Sequence, residues 1–254
     1  MVGVGSGPVL EVSGVSQGFS KGPADPWQQA LSDASLSVNA GEVVAVIGGR
    51  LSGKTTLLGA AAGVTVPEAG SVRLGEVELT DLSERERGRL RGREVVWLNT
   101  VGVAPRLRVQ KLVGWSLQDC RGRAERERRI ADALERVGAS ECATSCWGEL
   151  SRFEQVLVGY AQAIAGKPQL VVIDDLLDGL GEPATQEASD LLRVLIEDTR
   201  RSWGVLMSAS DRASALYADR VWALERGRLI PTGGHRDTAG DVVPFYPRRA
   251  AADR

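Results

Sequence analysis

The segment from Glu42 to Leu58 leaves this chain the fewest choices of fold. Val43 to Ile47 is an unbroken apolar run with the length and β-branching of a buried strand, and the residues after Gly53 are good helix formers. Between them lie Gly48, the four residues Gly49, Arg50, Leu51 and Ser52, and then Gly53, Lys54, Thr55 and Thr56. This order of strand, glycine-rich loop and helix holds nucleotide phosphates on backbone N–H groups at a helix N-terminus. In that chemistry Lys54 reaches the β- and γ-phosphates, and the Thr55 hydroxyl ligates Mg²⁺. A plain glycine-rich turn is the alternative. The strand before the loop and the helix after it are what phosphate binding requires, so the cradle is the preferred reading.

A chain of 254 residues is long enough for one large α/β domain, or for a core with an insertion. Its net charge of −2 supplies no basic field for nonspecific nucleic-acid binding, so no nucleic-acid partner is expected. No apolar run has the length of a membrane span, and Met1 to Pro8 lacks both the basic and the apolar region of a signal peptide, which gives the expectation of a cytoplasmic chain. Cys120, Cys142 and Cys146 are an odd set beside a single histidine, His235. They read as reduced thiols, and Cys142 and Cys146 as core residues, rather than a disulfide framework or a zinc site. Only four of the 31 basic residues are lysine, which makes Lys54 conspicuous.

Along the chain, Val9–Val12, Leu36–Val38 and Val43–Ile47 read as strands, the last two split by the turn Asn39-Ala40-Gly41. The helix after the loop should end near Gly63, with a hairpin of Ser71–Leu74 and Val77–Leu79 next. Ser83 to Arg93 is dense in Glu and Arg at helical spacing and reads as a solvated helix face, although Gly88 and Gly92 weaken it. Val95–Leu98 is a short strand, and Arg121–Arg129 leads into an amphipathic helix through Ile130, Ala133, Leu134 and Val137. Ser151 caps a helix to Ala165, with Glu154 at the capping-box position. Leu170–Ile173 is a buried strand running into Asp174 and Asp175. A helix over Thr185–Asp198, a strand over Val205–Ser208, a helix over Asp211–Ala218 and a strand over Val221–Leu224 then complete an alternating pattern. The six tryptophans read as packing residues.

With these elements placed, the chain from about Val9 to Ile230 resembles the nucleotide-binding subunit of ATP-binding cassette (ABC) transporters. The resemblance implies an α/β fold: a P-loop NTPase core of ABC type, with a parallel-rich sheet and an antiparallel β opening, plus an α-helical subdomain. It implies one ATP-binding domain over 9–230, with the helical subdomain inserted over about 83–165, and flexible tails over 1–8 and 231–254. Phe19 best matches the aromatic residue that stacks on adenine, with Trp27 a second choice. Asn99 falls at the glutamine of the family's Gln loop. The signature Leu-Ser-Gly-Gly-Gln appears as Leu150-Ser151-Arg152-Phe153-Glu154, without its glycines and glutamine. Asp174 ends the Walker B strand, Asp175 holds the place of the catalytic glutamate, Gly181 that of an aspartate in the D-loop, and Ser210 that of the switch histidine.

By that resemblance the cradle residues Gly48, Gly49, Arg50, Leu51, Ser52, Gly53, Lys54, Thr55 and Thr56 would bind ATP. Thr55, Asp174 and Asn99 would hold Mg²⁺, and Asp175, Asn99 and Ser210 would serve hydrolysis. Aspartate in place of glutamate draws the base back by about one bond length, and a misplacement near 1 Å costs on the order of 10²-fold in rate. Slow hydrolysis is therefore expected. A glycine stands at Leu51 in the family, so leucine there would be strained by about 1 to 2 kcal/mol if φ is positive. Family members act as head-to-tail dimers in which each ATP lies between one chain's cradle and the other's signature, so Ser151, Arg152 and Glu154 would face a partner's nucleotide.

Two functions follow from the resemblance. In the first, the chain is the ATP-binding subunit of a transporter, forming a homodimer or a heterodimer with another cassette and lying on the inner face of the membrane through a separate transmembrane permease. In the second, it is a nucleotide-gated regulatory module with vestigial hydrolysis. An ABC-type protein of translation or repair fits less well, since the former generally carry two cassettes and the latter a long coiled-coil insertion.

Overall fold

One parallel sheet is covered on both faces, which is why its strands read as unbroken apolar runs. A computed structural model describes residues 7–19, 27–99, 103–118, 120–175, 177, 180–198, 203–210, 215 and 218–232. The chain opens with β1 (Leu10–Phe19) and β2 (Gln28–Val38), then β3 (Val43–Ile47), α1 (Lys54–Ala61), β4 (Ala69–Leu74) and β5 (Val77–Glu78). Next come α2 (Glu84–Glu94), β6 (Val95–Leu98), α3 (Val109–Gly114), α4 (Arg123–Arg136) and α5 (Arg152–Gly166). The remainder is β7 (Leu170–Ile173), α6 (Glu182–Asp198), β8 (Gly204–Ala209), β9 (Arg220–Glu225) and β10 (Arg228–Pro231).

The described strands form two sheets. An antiparallel sheet has the order β2-β1-β4-β5, and a larger one the order β10-β9-β3-β8-β7-β6, parallel throughout except for β10. Alternation along β3 divides the core. Val43 and Ala45 join the cluster built by β7, β8 and helices α3, α4 and α5, which includes Val156, Tyr160, Ile164 and Leu134. Val44 and Val46 face the other way, onto Leu57, Leu58 and Ala61 of α1 and onto Leu10, Leu31, Leu36 and Val72 of the antiparallel sheet. The phosphate-loop helix is thereby clamped between two sheets.

Several elements differ from the sequence reading. The strands at 9–12 and 36–38 are the ends of the ten-residue β1 and the eleven-residue β2. Register shifts between Val12 and Gly18, with positive φ at Gly14 and Asp33, break the period-two pattern that would have shown their full length. β10 ends where the sequence places the start of a tail, because Arg226 and Gly227, both with positive φ, turn the chain back onto β9. The expected helix over 211–218 lies outside the described residues except for Ala215 and Ala218.

The charged run at 83–93 is more than a solvated face. Ser83 and Glu86 form a capping box, Arg87 is buried and donates to the Leu82 carbonyl, and Arg91 donates to the Gly63 carbonyl, tying α2 to the turn after α1. The pairs Arg123–Glu127 and Arg128–Glu125 on α4 are the exposed kind expected, and such pairs add little stability. Cys142 is buried in a short 3-10 turn, whereas Cys146 is only half-buried, so the core assignment holds for the first thiol alone. Trp147 and Trp203 are core residues, but Trp27 and Trp115 are exposed.

Candidate functional site

Register in the parallel sheet sets the site. Ile47 pairs with Ala209, Ile173 with Met207, and Leu98 with Ile173. The residues that follow these strand ends, Gly48, Asn99, Asp174 with Asp175, and Ser210, therefore emerge side by side at the carboxyl edge, where open α/β sheets take their ligands.

The loop after β3 is shaped for close backbone approach. A side-chain carbon at Gly48 would lie 2.6 Å from Ser52 Oγ and 2.9 Å from the Leu224 carbonyl. Gly53 has φ 104, and a Cβ there would come within 2.4 Å of the Ala30 carbonyl on β2, so only glycine fits. Nothing crowds Gly49. Among the described residues no side chain caps α1 at its N-terminus, which leaves its first amides free to accept an anion. The Lys54 ammonium donates to the carbonyls of Gly48 at 2.7 Å and Gly49 at 3.3 Å, folding over the loop. Ser52 Oγ is buried without a partner among the described residues. The orphaned hydroxyl, the bare amides and the glycine cradle fit a bound triphosphate.

Leu51 has φ 63 and is 95% exposed. Its side chain packs on nothing, so it brings the strain without burial. Leu51→Gly should remove about 1 to 2 kcal/mol of strain and add roughly 0.5 to 1 kcal/mol of unfolded-state entropy. The expected result is a ligand-free chain more stable by up to about 1.5 kcal/mol, read from urea unfolding.

Beside the loop, Thr55 Oγ1 lies 3.4 Å from Asp174 Oδ1. Asp174 is buried, and burial pushes its carboxyl above the ordinary aspartate range; the Ser208 hydrogen bond opposes this, and the nearby Asp175 charge adds to it. Because the folded value lies above the unfolded one, the folded chain holds this proton more tightly. The associated stability is present below the unfolded value of about 4 and is lost as pH rises through the folded value. Asp174→Asn is expected to abolish that loss: in urea unfolding from about pH 4 to 8 the ligand-free variant should be no less stable than the parent near neutrality, and Mg²⁺ should tighten its ATP binding less than in the parent.

Asp175 follows with φ 50, a conformation aspartate tolerates better than most residues. Its amide donates to Ser208 Oγ at 2.8 Å and its Oδ1 lies 3.0 Å from the same oxygen, which is also 3.0 Å from Asp174 Oδ1. Sequence reasoning missed Ser208. The signal was present, because a serine closes the otherwise apolar strand Val205–Met207, in line with Asp174. Asn99 and Ser210 sit at the same edge, Asn99 half-buried and Ser210 exposed.

The signature segment behaves differently from the cradle. Ser151 and Glu154 bond each other as a reciprocal cap on α5, with Ser151 N to Glu154 Oε2 at 2.7 Å. The side-chain bond from Ser151 holds the Glu154 carboxyl below its ordinary range. Arg152 reaches within its own chain, donating Nη2 to the Asp175 carbonyl at 2.6 Å. Phe19 and Trp27 lie at the end of the β1–β2 pair where β1 stops and β2 begins, Phe19 opposite Gln28, with the Trp27 ring over Gly18. That pair passes the phosphate loop at Ala30.

A parallel sheet ending in this glycine cradle, with Lys54, Thr55 and Asp174 around it, defines a P-loop NTPase of the α/β class. Residues 31–177 match the model of the ABC transporter family, and the chain belongs to that family. The lipoprotein-releasing system ATP-binding protein LolD of Pseudomonas syringae pv. tomato is 33% identical over 224 residues, covering 87% of this chain and 97% of that protein. The sulfate/thiosulfate import ATP-binding protein CysA 2 of Chromobacterium violaceum is 32% identical over 209 residues, covering 80% of this chain and 54% of its own length. In fold, the chain superimposes on the dimeric ATP-binding cassette MJ0796 bound to ADP and phosphate with a TM-score of 0.80 at 22% identity, covering 90% of this chain and 99% of that one.

Proposed function

We propose that this chain is the ATP-binding subunit of a transporter: it binds Mg-ATP, couples nucleotide-driven dimerisation with a second copy or another cassette to a separate transmembrane permease, and hydrolyses ATP slowly. The observation that carries this reading is the intact cradle of Gly48, Gly53, Lys54 and Thr55 beside Asp174, next to an Asp175 whose carboxylate is engaged by Ser208. In it, residues 48–56 hold the phosphates and Phe19 stacks on the base. Thr55, Asp174 and Asn99 hold Mg²⁺, which when bound neutralises charge on the phosphates. Asp175, Asn99 and Ser210 occupy the hydrolytic positions with shorter or weaker groups. Ser151, Arg152 and Glu154 face the partner cassette.

None of the described helices is long and apolar enough to cross a membrane. In this reading the chain reaches the inner face of the membrane through its permease, from the cytoplasmic side. A groove of about 320 Å³ between α2, β6, α5 and the segments that follow α1 and α3 offers a seat for it, lined by Gly88, Arg91, Trp97, Trp115, Gln118 and Gln162. Trp115 is exposed there, and Trp97 Nε1 and Ser116 Oγ are buried without partners among the described residues. Relatives of similar identity carry names for lipoprotein release and for sulfate import, so the family match does not select a cargo. Nucleic acid is not a partner in this reading.

Detergent extraction of host membranes and capture of the tagged chain is the test. A polytopic membrane protein should be recovered in stoichiometric amount, and Trp115→Glu should release it. Recovery of soluble partners alone would overturn the permease reading. It would favour a nucleotide-gated regulatory module, the second reading suggested by the engagement of Asp175 within its own chain.

A further inference from the structure

We propose that Ser208 is a positioning residue that turns Asp175 toward the magnesium side of the nucleotide site, making Asp175 a second carboxylate for the cation beside Asp174. The inference rests on the Mg-ATP reading above and deepens it.

Ser208 is 2% exposed, at a position in β8 level with Asp174 at the end of β7. Its single oxygen is the meeting point of three groups: the amide of Asp175 at 2.8 Å, Asp175 Oδ1 at 3.0 Å and Asp174 Oδ1 at 3.0 Å. A hydroxyl has one proton and two lone pairs, so Ser208 accepts from the amide and donates to the carboxylates one at a time. The amide and carboxylate of Asp175 reach the same atom because the residue is left-handed, at φ 50. Its carbonyl is held by Arg152 at the start of α5. Asp175 is thus fixed at backbone and side chain alike, with its carboxylate on the same hydroxyl as that of Asp174.

Two carboxylates gathered on one hydroxyl repel each other, and a divalent cation, if bound, would relieve that repulsion. A carboxylate held in this way is badly placed to work on a water beyond the γ-phosphate. The same contact would both slow turnover and strengthen the grip on the metal. Outer-shell partners of this kind change metal affinity by about 10- to 100-fold when removed.

The test uses the full chain and a fluorescent ATP analogue carrying the N-methylanthraniloyl group. Its affinity is measured first in EDTA, which reports the cradle alone, and then with saturating Mg²⁺; failure of the parent chain to bind with Mg²⁺ present would sink the Mg-ATP reading itself, separately from this inference. The affinity is then titrated against free Mg²⁺, and Mn²⁺ binding is followed by electron paramagnetic resonance. In Ser208→Ala and in Asp175→Asn, the metal concentration giving half of the tightening should rise about tenfold. The double variant should be no worse than either single variant, and Ser208→Thr should stay within about twofold of the parent. An unchanged metal response in Ser208→Ala would overturn the proposal. So would effects that multiply in the double variant, since Ser208 would then act through Asp174 and not through Asp175.

Discussion

Replacing Lys54 with alanine is expected to raise the dissociation constant for Mg-ATP by about 30- to 4,000-fold while leaving the ligand-free fold intact. The ammonium lies over the loop, 2.7 Å from the Gly48 carbonyl and 3.3 Å from that of Gly49. It is a flexible cation folded over a cradle of fixed amides. In the bound state that charge moves onto the phosphates, where truncating one member of a hydrogen-bonded charge pair costs about 2 to 5 kcal/mol. Each 1.4 kcal/mol is about tenfold in affinity. In the ligand-free variant, water reaches the Gly48 and Gly49 carbonyls in place of the ammonium, so unfolding should shift little. Isothermal titration of Mg-ATP into parent and variant, with circular dichroism melts of both, makes the measurement. Affinity undiminished in the variant would defeat the site assignment as a whole.

The second large effect concerns turnover. Asp175→Glu alone is expected to raise ATP hydrolysis by less than about tenfold, whereas Asp175→Glu combined with Asn99→Gln and Ser210→His should raise it by about 10² or more. A misplacement near 1 Å costs on the order of 10²-fold, and a positioned general acid or base contributes typically about 10²- to 10⁴-fold. These three residues stand at the ends of three neighbouring strands, so they would surround the same reacting atoms. Asp175 is also held back by Ser208, and one added methylene lets a glutamate carboxylate extend past that contact. Phosphate release under single-turnover and steady-state conditions separates chemistry from product release. Full recovery from Asp175→Glu alone would show that Asn99 and Ser210 already suffice.

Much of the fold is legible in the residues alone, and the limits are as instructive as the successes. Val43–Ile47, Val95–Leu98 and Leu170–Ile173 have the same bounds in the sequence reading and in the fold, because a strand buried on both faces is apolar at every position. β1 and β2 read too short because bulges interrupt their alternation. The cap of α5 at Ser151 is legible because Ser-x-x-Glu is a local motif. That same cap commits Ser151 and Glu154 to each other, something the signature-motif resemblance gives no reason to expect.

By itself the sequence determined the glycine-rich loop between strand and helix and the α/β alternation, and it gave the expectation of departures at Asn99, Asp175 and Ser210. Each of these is local: a glycine where the chain must turn, a recurring spacing of apolar residues, a side chain one bond shorter than its counterpart. Only the tertiary structure decided that Arg152 would commit its guanidinium to the Asp175 carbonyl, and that Ser208 would gather two aspartates on one oxygen. Those contacts join residues 23 to 34 positions apart in the chain. They depend on which strands lie side by side and in what register, and strand partners are chosen by packing of the whole core, which no short stretch of sequence encodes.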